Sequence, residues 1–215
     1  MKKHSIGNFE IIEYTGCIFV IKNILDTSFC KTFINYIDSC KTYELDYGEE
    51  ENVKGYQVEL FKSHIDINNA KQKLIYKFIT DVLINIYIKC IVNIMLKIKS
   101  EIFGAELPKF DSILIRKITD ATKIHYDGIL NGDEIRCLTC IMALNDDYEN
   151  GRIYFEEQNV NFKLDRGDVL LFPPYWTHNH SVEKPLNNYR YTITFWFHDY
   201  ISKKGYILGP NTFPV

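Results

Sequence analysis

From about residue 110 onward the chain is a succession of short β-rich runs separated by turn residues, and this texture narrows what it can fold into. The runs are 112–118, 136–144, 152–155, 159–164, 168–172, 179–183 and 190–198. Asp-Gly, Asn-Gly, Arg-Gly and Pro-Pro pairs fall between or beside them. Short strands at such close intervals build a sandwich or a barrel. The first hundred residues read differently. Cys17 to Ile21 is a β-rich run, Asp26 stands where a helix N-cap would, and Phe29, Phe33, Ile34 and Ile37 recur at helical spacing between Ser28 and Cys40. Residues 41–55 are polar, acidic and glycine-dotted and read as a loop, followed by a short strand around Val58 to Phe61. Ala70 to Lys99 is the longest helical pattern, wide and apolar, as expected of a helix that packs broadly on a sheet. Helices first and strands afterwards argue against a doubly wound parallel sheet. No glycine-rich phosphate loop is present.

The chain has 215 residues, enough for a single domain with an ample core at about 100–200 residues per domain. Its 25 basic and 28 acidic residues give a net charge of −3, which argues against a nucleic-acid binder working through a basic face. The start, MKKHSIGNFEII, carries no apolar run of the kind a secretory signal needs. The most apolar stretch, Leu74 to Ile98, is broken by Lys77, Asp81, Lys89 and Lys97, so no membrane span is expected. Six cysteines without a signal read as free thiols. Together these features point to a soluble cytoplasmic protein. Arginine occurs only at 116, 136, 152, 166 and 190, all in the second half, where geometric demands that lysine cannot meet would concentrate it.

The chemistry-bearing residues lie in the strand-rich half. In the extended triplet His125-Tyr126-Asp127, positions i and i+2 point to the same side, so His125 and Asp127 can aim at one point. About fifty residues on, Tyr175-Trp176-Thr177-His178-Asn179-His180 brings two further histidines of equal strand parity. Two histidines and one carboxylate make the facial triad that holds iron(II) with three adjacent positions open. A closed structural zinc site would need four protein ligands. Arg190 follows ten residues after His180, and alternation places Arg190, Thr192, Thr194 and Trp196 on one strand face. An arginine facing an interior requires an anion, and its guanidinium pairs with a carboxylate in a bidentate fork. Cys137 and Cys140 also invite a zinc reading. In a regular strand, i and i+3 face opposite sides, and no second CxxC is present, so the pair is set aside.

The order H-x-D, distal His, then Arg resembles the 2-oxoglutarate and iron(II)-dependent dioxygenases, and within them the prolyl-hydroxylase branch. RCLTCIMALN (136–145), YENGRIYF (148–155, with Asn150 in place of a family glycine), GDVLLFP (167–173) and RYTITFWF (190–197) all resemble segments of that branch. The resemblance covers about residues 110–199 closely and the N-terminal part more loosely.

It implies a double-stranded β-helix, or jelly-roll barrel, built from about 103–200 and braced by a helical support region of about 1–102. It implies His125, Asp127 and His180 as metal ligands. His180 is taken over His178 because Val182, Pro185 and Arg190 then fall in the family frame, with His178 left as a neighbour at the site mouth. It implies Arg190 as the residue that binds the distal carboxylate of 2-oxoglutarate, with Thr194 and Thr192 close to that cosubstrate. Iron(II), 2-oxoglutarate and dioxygen are the implied cofactors, with stimulation by ascorbate. The implied reaction is hydroxylation of a prolyl residue in a protein or peptide, coupled to conversion of 2-oxoglutarate to succinate. A lysyl hydroxylase and a non-catalytic jelly-roll binding module are the alternatives. Two departures stand out. Ala143 occupies a position where hypoxia-sensing relatives carry a tyrosine, so another donor, such as Thr192 or a water, must assist the arginine. Ile115 and Arg116 stand where many relatives carry another tyrosine. Oligomeric state is left open.

Overall fold

In a computed structural model of the chain, the structure describes residues 1–39, 43–45, 55–59, 81–98, 109–110, 113–128, 130–131 and 134–200, with the helical positions 70, 73 and 77. Most of the acidic 41–55 segment, much of the first part of the long helical pattern and the tail beyond 200 lie outside the described residues. The N-terminal strands are β1 (Lys2–Ile6), β2 (Phe9–Tyr14) and β3 (Ile18–Ile21), followed by α1 (Thr27–Ser39), β4 (Tyr43–Leu45) and β5 (Gly55–Glu59). A π-helical turn, Leu83–Ile88, runs into α2 (Lys89–Ile98). Then come β6 (Lys109–Phe110), β7 (Leu114–Ile118), β8 (Thr122–His125), β9 (Leu130–Asn131), β10 (Glu134–Ala143) and β11 (Glu149–Asn150). The last are β12 (Ile153–Phe155), β13 (Val160–Phe162), β14 (Val169–Phe172), β15 (His180–Val182), β16 (Pro185–Leu186) and β17 (Arg190–Tyr200).

One sheet runs β1-β2-β3-β14-β10-β17-β7-β5-β4, and a second runs β13-β12-β15-β8. From β7 onward the chain alternates between them: β7, β10, β14 and β17 lie in the large sheet, β8, β12, β13 and β15 in the small one. This is the jelly-roll arrangement, formed by two facing sheets and not by a closed barrel. All its pairings are antiparallel.

Strand alternation sorts the large sheet into two faces. Cys140, Met142, Val169, Leu171, Ile193, Phe195 and Phe197 face one core, shared with Phe29, Cys30, Phe33 and Ile37 of α1 and with Leu83, Ile91 and Met95. Ile141, Ala143, Leu170 and Phe172 face the other, where they meet Ile153, Phe155, Phe162 and Val182 of the small sheet. β3 is buried along its whole length, which explains its unbroken apolar run. The helices therefore brace the outer face of the large sheet and leave its inner face to the site.

Asp26 caps α1 as expected: its Oδ1 accepts the Phe29 N–H at 2.8 Å, and its Oδ2 accepts the Tyr87 hydroxyl at 2.9 Å. One carboxylate thus starts α1 and ties it to the second helical segment. The turn YENG needs left-handed backbone at two successive positions, and Asn150 (φ 56°) and Gly151 (φ 68°) supply it. Asparagine is tolerated at position 150 because it enters this region most readily among the non-glycine residues.

Three expectations need correction. Within the expected 41–55 loop, Tyr43–Leu45 pairs with Gly55–Gln57 as a strand. Cys17 belongs to a 3-10 turn with φ 63°, so the strand starts at Ile18. A bulge at Arg136/Leu138 resets strand parity, and Cys137 packs against the same helix-side cluster as Cys140. Parity is therefore no reason to separate these cysteines; they simply join the apolar core. No helix among the described residues is long and apolar enough to cross a membrane.

Candidate metal centre and adjoining cleft

β8 and β15 are neighbours in the small sheet, and their register places His125 directly opposite His180. The two rings approach to 4.3 Å between centroids. Asp127, two residues past His125, turns back so that its Oδ1 lies 3.3 Å from His125 Nε2. One donor atom from each of His125, Asp127 and His180 falls within 4.8 Å of the others, the only such cluster of three among the described residues. His178, of equal parity in sequence, is not in it.

Both imidazoles are held by backbone. His125 Nδ1 donates to the Lys123 carbonyl at 2.9 Å, and His180 Nδ1 to the His178 carbonyl at 3.1 Å. With Nδ1 on a carbonyl, each ring turns Nε2 to the cluster, and in the neutral imidazole that atom carries the free lone pair a metal ligand requires. Thr139 Oγ1 donates to Asp127 Oδ2 at 2.8 Å, and Arg136 Nη1 to the Asp127 carbonyl at 3.0 Å. Phe155 and Phe172 pack on His180 at ring separations of 5.5 and 4.8 Å and give the centre an apolar wall.

The titration behaviour follows from this packing. Burial pulls the His180 imidazole down to about 4, so it is neutral at neutral pH. Burial also opposes ionisation of Asp127, yet the hydrogen bond from His125, the positive charge both histidines carry in the acid range where a carboxyl titrates, and the Thr139 hydroxyl together hold it well below the usual carboxylate range. For His125 burial lowers basicity, but the hydrogen bond and charge of Asp127 with the Lys123 carbonyl outweigh it, and the net shift is upward.

The three residues sit at one end of a cleft between the sheets. Along β17, Arg190, Thr192, Thr194 and Trp196 all line it, as alternation predicts, with Arg116 and Ile118 beside them on the neighbouring strand β7. Arg190 is 5% exposed, and its Nε has no hydrogen-bond partner. Thr192 Oγ1 and Trp196 Nε1 are likewise buried donors without partners. Three orphaned donors in one cleft are the signature of a missing acceptor, because leaving them desolvated costs about 1–3 kcal/mol each. Burial depresses the guanidinium of Arg190, which an anion would offset. Two imidazoles and a carboxylate fit iron(II), and an arginine with adjoining hydroxyls fits a carboxylate-bearing cosubstrate. Ala143 is buried in the inter-sheet core, and Thr192 stands nearby on the paired strand.

Two features were not legible beforehand. Arg136, singled out only as part of a motif, stacks on Trp196 with its guanidinium carbon 3.7 Å from the ring centroid. Arg116 lines the cleft as well, and its strand parity with Ile118 is the signal that could have identified it. His178 is not at the site mouth: it is 7% exposed, its Nε2 bonds the Gly16 carbonyl, and Thr177 Oγ1 lies 3.0 Å from its Nδ1. It anchors the 176–178 turn to the N-terminal sheet, and its carbonyl orients His180.

Comparison with known families and structures agrees with this geometry. Residues 114–198 match the family described as the 2OG-Fe(II) oxygenase superfamily. The fold is similar to a viral collagen prolyl hydroxylase from Paramecium bursaria Chlorella virus-1 (14% identity, TM-score 0.59, covering 84% of this chain and 95% of that one). It is similar to a Pseudomonas putida prolyl-4-hydroxylase (16%, TM-score 0.56, covering 85% and 92%). It is also similar to a Trichoplax adhaerens prolyl hydroxylase solved with a hypoxia inducible factor oxygen degradation domain peptide fragment (18%, TM-score 0.57, covering 86% and 84%). At such identities the likeness is one of fold. No curated protein matches by sequence.

Proposed function

We propose that this chain, a 2OG-Fe(II) oxygenase over residues 114–198, hydroxylates a prolyl residue in a protein or peptide. The observation that carries the reading is the convergence of His125, Asp127 and His180 beside a cleft whose buried Arg190, Thr192 and Trp196 donors lack acceptors. In this reading His125, Asp127 and His180 hold iron(II), and Arg190 takes the distal carboxylate of 2-oxoglutarate. With iron(II) and 2-oxoglutarate bound, such a centre would supply oxidative decarboxylation of the cosubstrate to succinate and carbon dioxide coupled to hydroxylation of a substrate C–H bond.

The protein's own contribution is placement. The backbone carbonyls of Lys123 and His178 keep both imidazoles in the ligating tautomer. Thr139 and Arg136 hold Asp127 on the ligand side. Thr192 and Thr194 face the cosubstrate from the same strand as Arg190, and Thr192 serves where Ala143 offers no donor. Phe155 and Phe172 exclude water from the His180 side. Ascorbate would stimulate turnover as the external reductant of the bound iron.

The likeness of RCLTC and RYTITFW to the prolyl branch, and a fold shared with three prolyl hydroxylases, favour proline as the target. The test is a panel of proline- and lysine-containing peptides incubated with iron(II), 2-oxoglutarate and ascorbate in air. Gain of one oxygen atom on proline, located by tandem mass spectrometry, is the expected result. Gain on lysine alone would move the chain to the lysyl alternative.

A further inference from the structure

Arg116 has no role in the site as described so far, yet its position is unusual. It projects from β7 into the same cleft as Arg190, half-buried, with Thr192 of β17 as its cross-strand neighbour. Its Nε reaches Gln57 Oε1 of the adjoining strand at 3.4 Å, and its guanidinium carbon lies 5.7 Å from the Trp196 ring centroid. Gln57 thus meets the side chain through a neutral acceptor. Among the described residues no acidic side chain forms an ion pair with Arg116, and Asp127 is the only acidic residue lining the cleft. Among the described residues, two guanidinium groups, Arg190 buried and Arg116 half-buried, thus share one cleft with a single carboxylate. That arrangement is costly unless anionic charge enters.

The spacing suits a dianion. Arg190 pairs with Ile118 in the β7–β17 register, and Arg116 pairs with Thr192, one two-residue step towards Trp196. Two strand residues span about 7 Å, of the order of the length of a five-carbon dicarboxylate.

We infer that Arg116 is a second cationic anchor of the cleft, holding the carboxylate at the metal-proximal end of 2-oxoglutarate while Arg190 holds the distal one. This rests on the oxygenase reading above and adds a residue to it. Arg116 makes the cleft selective for dicarboxylates whose metal-proximal end is itself anionic.

The test is calorimetric titration of the full chain loaded with manganese(II) under anaerobic conditions, which reads binding without turnover. The ligands are 2-oxoglutarate and oxalate, the second presenting only a chelating end. Arg116→Gln is expected to weaken both by about tenfold, the loss of one charge-assisted interaction. Arg190→Gln is expected to weaken 2-oxoglutarate and leave oxalate within about twofold, as for loss of a contact that oxalate does not make. Should Arg116→Gln fail to fold, Arg116→Lys carries the test: it keeps the charge without the fork, and oxalate affinity falls several-fold. Unchanged affinity of both ligands in a folded Arg116 variant would overturn the inference and leave the oxygenase reading standing. Absence of 2-oxoglutarate binding by the wild-type chain would overturn both.

Discussion

Thr139 donates its hydroxyl proton to Asp127 Oδ2 across 2.8 Å, so a neutral side chain of the large sheet orients the one carboxylate of the candidate metal centre. Thr139 is itself fully buried on the inner face of β10. Thr139→Val keeps the shape and removes the donor. Loss of such a supporting hydrogen bond weakens metal affinity by about ten- to a hundredfold. Titration of manganese(II) by electron paramagnetic resonance measures this, with circular dichroism expected to be unchanged.

The two histidines of His178-Asn179-His180 have separable roles. His180→Ala removes a donor atom from the cluster and is expected to abolish stoichiometric metal binding. His178→Ala leaves the cluster complete but removes the bond to the Gly16 carbonyl, and is expected to lower stability by about 1–3 kcal/mol. Metal titration and chemical denaturation of both variants would separate them; loss of metal binding in the His178 variant alone would exchange their roles.

The start of α1 gives a pH-dependent signal away from the site. The Ser28 hydroxyl, the Phe29 N–H and the Tyr87 hydroxyl hold the Asp26 carboxyl down at about 2, from an ordinary 3.8. A depressed carboxylate contributes stability that is complete above the unfolded value and is lost as pH falls through the folded one. Asp26→Asn retains a capping oxygen without the charge. Wild type is therefore expected to exceed Asp26→Asn in stability at neutral pH and to lose that margin between about pH 4 and pH 2. The carboxylate is exposed, so solvent screening holds the margin to about 1 kcal/mol.

The two tryptophans report different surroundings. Trp196 is 6% exposed and lines the cleft, whereas Trp176 is 71% exposed. In a Trp176→Phe protein the remaining emission is expected to be blue-shifted and to change when manganese(II) and 2-oxoglutarate are added. In a Trp196→Phe protein it is expected to be red-shifted and indifferent to them.

Much of this architecture is legible in the sequence because each strand of the jelly roll has one inner and one outer face. Arg190, Thr192, Thr194 and Trp196 share a face by parity alone, and all four line the cleft. Parity fails where the backbone is irregular. The bulge at Arg136/Leu138 carries no composition signal, so alternation alone places Cys137 on the wrong face. The hairpin of β1 and β2 leaves little trace in the sequence beyond its Gly7-Asn8 turn, because β1 is mostly exposed and lacks an apolar stripe. His178 and His180 are equivalent in parity, and only the pairing of β15 with β8 separates them. Arg116 stands where many relatives carry a tyrosine; that it lies beside Arg190 on the same sheet face, opposite Thr192, is a matter of β7–β17 register.

The measurement that bears most directly on the central claim is conversion of 2-oxoglutarate to succinate by the purified chain with iron(II), ascorbate and air, compared with His180→Ala. The account predicts succinate from the wild type and none above background from the variant. Equal succinate from both, or none from either, would contradict it.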